Sequence, residues 1–160
     1  DFWGSASGWA PDSAAELLSK SRLDRQASLS RSMRRWNMAP SEEVEDGDLI
    51  LAWTNLGSLI EGTIKLFLGV FYEDYKADLQ NLQKTQAWHA KQQKHIEPDG
   101  LRLDVLIHYA KTADLLSAGE LEMCELVQSR RNAIHAFKDR DIGSVVEFKA
   151  AVRLYLELLP

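Results

Sequence analysis

Between Leu49 and Tyr72 the chain carries two interleaved apolar stripes, and few architectures accommodate such a segment. One stripe is Ile50, Trp53, Gly57, Ile60, Ile64, Phe67 and Phe71. The other is Leu49, Ala52, Leu56, Leu59, Thr63, Leu66 and Val70. Both advance by three and four residues, the period of an α-helix. A helix apolar on two sides is buried on two sides, so this one is either central to a bundle or shared with a partner subunit. Ser58 and Gly62 are small and stand four apart, a spacing that permits close helix approach. A membrane span is disfavoured, because Glu61 and Lys65 fall in mid-segment beside Asn55 and Ser58, and charge at the bilayer centre is costly. The expectation is a buried helix over about 44–75 and no membrane association.

The rest of the chain reads as helical too. No run alternates apolar and polar residues as a strand would. The four prolines, at 11, 40, 98 and 160, stand outside the periodic stretches. A first helix is expected from Ser13, with Glu16 as its capping-box partner, to about Asn37, ending before Pro40. Residues of about 81–100 are polar, rich in Gln and Lys, and close on Pro98-Asp99-Gly100, a turn signal. They predict a loop or an exposed helical extension. A third helix spans about Leu103–Leu116. Ser117 with Glu120 opens a fourth, to about Phe137. Ser144 with Glu147 opens a last one, whose stripe is Val145, Phe148, Val152, Tyr155 and Leu159. A length of 160 residues, 45% hydrophobic and 27% charged, suits one globular domain. The expected fold is a single all-α domain over 1–160, an up-and-down bundle of about five helices.

The net charge of −5 gives no global basic field for a nucleic acid. The charge between Lys20 and Arg35 of the first helix is nevertheless lopsided: Lys20, Arg22, Arg25, Arg31, Arg34 and Arg35 face one acid within that stretch, Asp24. This is either a solvated face or a local phosphate-contacting surface. Metal chemistry has little to build on. The histidines are His89, His95, His108 and His135, with no HExxH and no CxxC. His89 and His95 read as surface residues in the polar stretch, and His108 as a structural histidine on the third helix. No metal or other cofactor is expected. Cys124 is the only cysteine, which precludes an intrachain disulfide and fits a reducing compartment. With no signal-peptide pattern at its start, the expectation is a cytoplasmic protein.

One segment carries chemistry: Gln128-Ser129-Arg130-Arg131-Asn132-Ala133-Ile134-His135-Ala136-Phe137. On a continuous helix, Arg131 and His135 share a face with Cys124 and Gln128. Arg130 instead lies on the apolar line Met123, Val127, Arg130, Ile134, Phe137, where an arginine is costly unless paired. At about 100° per residue, Arg130 and His135 point about 140° apart. By spacing alone two readings stay open. Arg130 snorkels outward while His135 interacts with the helix C-terminus, or the arginines and the histidine act together.

The segment resembles the HEPN family. Arg130, four intervening residues and His135 match the family's Arg-x4-6-His motif. Asn132 and the aromatic that follows the histidine are similar to its RNAIxH-type segments, and the placement late in an all-helical chain agrees. The resemblance implies a metal-independent endoribonuclease whose active site is completed by dimerisation. His135 would move the proton of a ribose 2′-hydroxyl, as a histidine can near neutral pH. Arg130 would stabilise charge on the phosphate, leaving a 2′,3′-cyclic phosphate and a 5′-hydroxyl. Arg131 stands where many relatives carry the Asn, so it remains a rival to Arg130, beside Asn132. Phe137 replaces a tyrosine that a nucleotidyltransferase modifies in some relatives, so that route is not expected. Glu61, the one acid of its helix interior, either pairs with Lys65 or holds Arg130 or Arg131. Arg31, Arg34 and Arg35 would contact RNA. The implied partners are a second copy, RNA and an antitoxin or other regulatory protein, in a toxin or phage-defence setting. The alternative is a catalytically inactive HEPN-like module that binds RNA or protein.

Overall fold

The computed structural model describes residues 11–37, 44–135 and 137–159. Pro40, the expected stop of the first helix, as well as Ala136 and Pro160, lie outside them. The chain is all-α. Its helices among the described residues are α1 (Asp12–Ser19), α2 (Leu23–Ser32), α3 (Asp46–Val70), α4 (Tyr72–Ala77), α5 (Leu79–Leu82), α6 (Leu103–Thr112), α7 (Ala118–Arg131) and α8 (Val145–Leu158). Short 3-10 turns follow α2, precede α6 and follow α7. No described helix is long and apolar enough to cross a membrane. The chain divides into two compact units: residues up to Leu23 with Glu61–Leu115, and Asp24–Ile60 with Leu116 onward. The division falls inside α3, between Ile60 and Glu61.

In the first unit, α1 buries Ala14, Leu17 and Leu18. It approaches α3 closely at Gly69, where an added Cβ would lie 2.9 Å from Leu18 Cδ2. The expected capping box at Ser13 does not form. The Pro11 carbonyl accepts from the Ala15 amide at 3.0 Å, so the helix begins before Ser13, whose hydroxyl donates to Glu73 instead. The expected continuous first helix is two helices and a 3-10 turn, interrupted at residues 20–22, just before the unit boundary at Leu23–Asp24 in the first turn of α2. The second expected helix breaks at Phe71, with φ −96° and ψ 39°. Phe67, Val70 and Phe71 are exposed, whereas Tyr72 and Tyr75 are buried. The break re-aims the aromatic side chains once the original stripe has run out of core.

The polar stretch contains α5, a two-residue antiparallel hairpin (Trp88–His89 with Lys94–His95) and the Pro98–Gly100 turn. Strands of two residues are too short to show alternation. His95 is not a plain surface residue. Its Nε2 lies 3.1 Å from the Tyr72 hydroxyl, and its ring meets Tyr72 and Tyr75 edge-on. Burial, then the Lys76 charge, lower its pKa below 6.5. His108, expected to be structural, is exposed on α6.

The second unit is organised on the first half of α3. Trp53 is fully buried; it meets Phe148 edge-to-face at 5.1 Å and donates from Nε1 to the Ile142 carbonyl at 2.8 Å. Truncating a buried tryptophan costs about 3–5 kcal/mol, so this contact anchors α8 and the loop before it. Met123, Cys124 and Val127 of α7 complete the core. Both expected capping boxes, Ser117–Glu120 and Ser144–Glu147, are formed. The basic α2 buries no residue. Polar bonds hold it: Gln26 Nε2 to the Leu59 carbonyl and Asn55 Nδ2 to Ser32 Oγ, each 2.8 Å.

Candidate active site

The motif segment closes α7, and its geometry follows from where the core ends. Val127 is the last fully buried residue of the helix, while Ile134 and Phe137 are exposed. With no core left to cover that stripe, the α-helix stops at Arg131 and tightens into a 3-10 turn over Asn132–Ile134. His135 follows with φ −85° and ψ 91°, outside the helix. The continuous helix expected to Phe137 is therefore absent, and with it the shared face of Arg131 and His135. His135 is exposed. Its amide donates to the Asn132 carbonyl at 3.2 Å, and its own carbonyl accepts from Lys138 at 3.2 Å.

Arg130 is paired, as its place on an apolar line demands. Its side chain is 13% exposed. It meets Asp141 through Nη1 at 2.5 Å and Glu147 through Nη2 at 3.1 Å. Nη1 also donates to the Asp141 carbonyl at 2.9 Å. Burial disfavours the charge, but the bonds to Asp141 and Glu147 outweigh it and raise the Arg130 pKa. The Gly143 amide, then Arg130, lower the Asp141 pKa. Glu147 serves twice: one oxygen accepts from Arg130, the other from the Ser144 amide at 2.9 Å in the capping box. Gly143 makes this possible. Its φ is +68°, and a Cβ there would lie 2.6 Å from Glu147 Oε2 and 2.8 Å from Arg130 Nε. Arg130, Asp141, Gly143 and Glu147 thus form a clamp between the end of α7 and the start of α8.

Arg131 takes a different course. Its stem lies on Gly57 of α3, where an added Cβ would be 2.6 Å from Arg131 Cδ, and Nη1 makes a long 3.5 Å bond to the Gly57 carbonyl. Asn132 is half-buried. Glu61 pairs with Lys65 at 2.9 Å, the i,i+4 arrangement; the carboxylates on Arg130 are Asp141 and Glu147. Arg31, Arg34 and Arg35 are exposed, and no ion pair engages them among the described residues. They belong to the same unit as the motif segment.

Asp141, Gly143 and Glu147 are the functional neighbours that sequence reasoning missed. The signal was available: an arginine on a buried stripe requires acids, and Glu147 was already fixed by its capping box. Cys124 is buried, and burial, with Glu120 and Glu125, pushes its thiol up to about 12, which leaves it inert as a nucleophile. Among the described residues, no group of three or more His, Cys, Asp or Glu is placed to hold a metal ion. No protein-family model, curated protein or solved structure matches the chain.

Proposed function

We propose that the chain is a metal-independent endoribonuclease of the HEPN type that acts as a homodimer in the cytoplasm. What carries the reading is the exposed imidazole of His135 at the end of a helix that closes on two arginines. In this reading His135 takes the proton of the 2′-hydroxyl as it attacks the adjacent phosphorus. The P–O5′ bond breaks, solvent water protonates the departing 5′-oxygen, and a 2′,3′-cyclic phosphate remains. Arg130 is a positioning residue, because two carboxylates already occupy its guanidinium. Arg131, Asn132 or the second copy supplies the groups that meet the phosphate, and Arg31, Arg34 and Arg35 hold the RNA backbone. A toxin or phage-defence effector restrained by an antitoxin is the setting that suits such an activity.

Sequestration of Arg130 favours a second reading, a catalytically silent module that binds RNA or protein through the exposed Ile134 and Phe137. Incubation with total RNA in EDTA, with end analysis of the products, separates the two. Cyclic-phosphate ends from wild type, absent with His135→Ala, support the nuclease. Intact RNA with wild type, under conditions where light scattering finds a dimer, supports the module. A monomer at tens of micromolar removes the composite site altogether.

A further inference from the structure

The first unit contains a cavity of about 280 Å³ that the proposed activity does not use, near the lower end of ligand pockets at about 300 Å³. Its walls are aromatic: Phe67 from the end of α3, Phe71 from the break that follows it, Tyr75 from α4 and Tyr109 from α6. The Phe67 and Phe71 rings stand 4.9 Å apart, and Tyr75 meets Tyr109 edge-on at 5.0 Å. Phe67 and Phe71 are close to half exposed although they continue a core stripe. The far wall depends on how α6 ends. Asp114 adopts φ +53°, its amide bonds the Lys111 carbonyl and the Leu115 amide returns to the Ala110 carbonyl. This is a Schellman turn, and it places Leu115 on the cavity lining.

Two carboxylates share this apolar lining. Asp78 accepts from the Tyr109 hydroxyl at 3.0 Å and from Asn81, through Nδ2 at 3.1 Å and the backbone amide at 3.4 Å. These donors are neutral, so none of them brings a countercharge. The Asp74 carboxylate has no hydrogen bond or ion pair among the described residues. Among the described residues, no lysine, arginine or histidine lines the cavity. Aromatic faces attract cations through their quadrupole, and a carboxylate beside them adds a charge partner. With two carboxylates the set is too small for a metal ion but complementary to one ammonium group with an apolar tail.

We propose that this cavity binds a small alkylammonium cation, its charged end between Asp74 and Asp78 and its alkyl chain on Phe67, Phe71 and Tyr109. The test is titration of the full chain with hexylammonium chloride, hexanol and hexanoate at constant ionic strength, followed by amide NMR shifts. Hexylammonium is expected to bind saturably, with shifts centred on residues 67–78 and 109–115, hexanol more weakly and hexanoate not at all. Asp74 is exposed and supports no other group, so Asp74→Asn leaves the fold intact. It should weaken hexylammonium binding about two- to fivefold, the worth of one partly exposed charge pair. Phe71→Ala should weaken it as well, while Glu122→Gln on α7 should not. Failure of wild type to saturate, equal affinity for hexylammonium and hexanol, or unchanged binding by Asp74→Asn would each overturn the proposal. RNA cleavage plays no part in these readouts.

Discussion

Replacing Gly143 by alanine tests whether the clamp around Arg130 is built as described. The substitution acts in two ways. A non-glycine residue at φ +68° carries a penalty of roughly 1–2 kcal/mol. The new Cβ would also fall 2.6 Å from Glu147 Oε2, so the carboxylate must move away from the Ser144 amide it caps at 2.9 Å. Losing an N-terminal cap costs about 1 kcal/mol. Alanine returns about 0.5 kcal/mol by narrowing the unfolded ensemble, leaving a net destabilisation of about 2 kcal/mol. For a chain of this size that lowers Tm by about 4–8 °C. Urea unfolding followed by circular dichroism should show a lower midpoint at unchanged slope. Gly119→Ala, where a Cβ meets nothing within 4 Å, is the control and should leave stability equal or slightly higher. A double-mutant cycle of Gly143→Ala with Glu147→Gln should be non-additive. A loss below about 0.5 kcal/mol, within the scatter of ordinary surface changes, would refute the clamp.

Other outcomes follow from the same geometry. Cys124, fully buried with its thiol pushed up to about 12, should react with a disulfide reagent only on unfolding. A rapid stoichiometric reaction of the native chain would contradict its burial. The lowered pKa of His95 means that the unfolded chain takes up its proton first as pH falls below 6.5. Stability should therefore drop through that window, and His95→Gln should lessen the difference between urea midpoints at pH 7.5 and 5.5; an unchanged difference would count against it. Changing Arg31, Arg34 or Arg35 to glutamate should weaken RNA binding and flatten its dependence on salt by roughly one unit of slope per contact. An unaltered slope would make that stretch a solvated face.

Helical periodicity and capping chemistry made much of the fold legible in advance. Trp53, Leu56 and Ile60 are buried as their stripes require, and the boxes at Ser117 and Ser144 start α7 and α8. Three features were hidden, for different reasons. The break after Ser19 has no proline or glycine to mark it; it falls where burial ends, since α1 buries Ala14, Leu17 and Leu18 and α2 buries nothing. The Ser13 box yielded to a competing partner, Glu73, sixty residues away in sequence. The end of α7 at Arg131 reflects missing burial beyond Val127, because the pattern in Ile134 and Phe137 continues as though a core were there. Within the motif segment, spacing identified Arg130 as a residue that must be paired. It could not choose Asp141 and Glu147, which a glycine with positive φ brings to it.

The central claim rests on His135, and single-turnover cleavage of RNA in EDTA by wild type and His135→Ala tests it most directly. Loss of one positioned acid–base group should slow cleavage by about 10²–10⁴, with the circular dichroism and the oligomeric state of wild type retained. Cleavage at the wild-type rate by His135→Ala, with fold and oligomeric state unchanged, would contradict the enzymatic account.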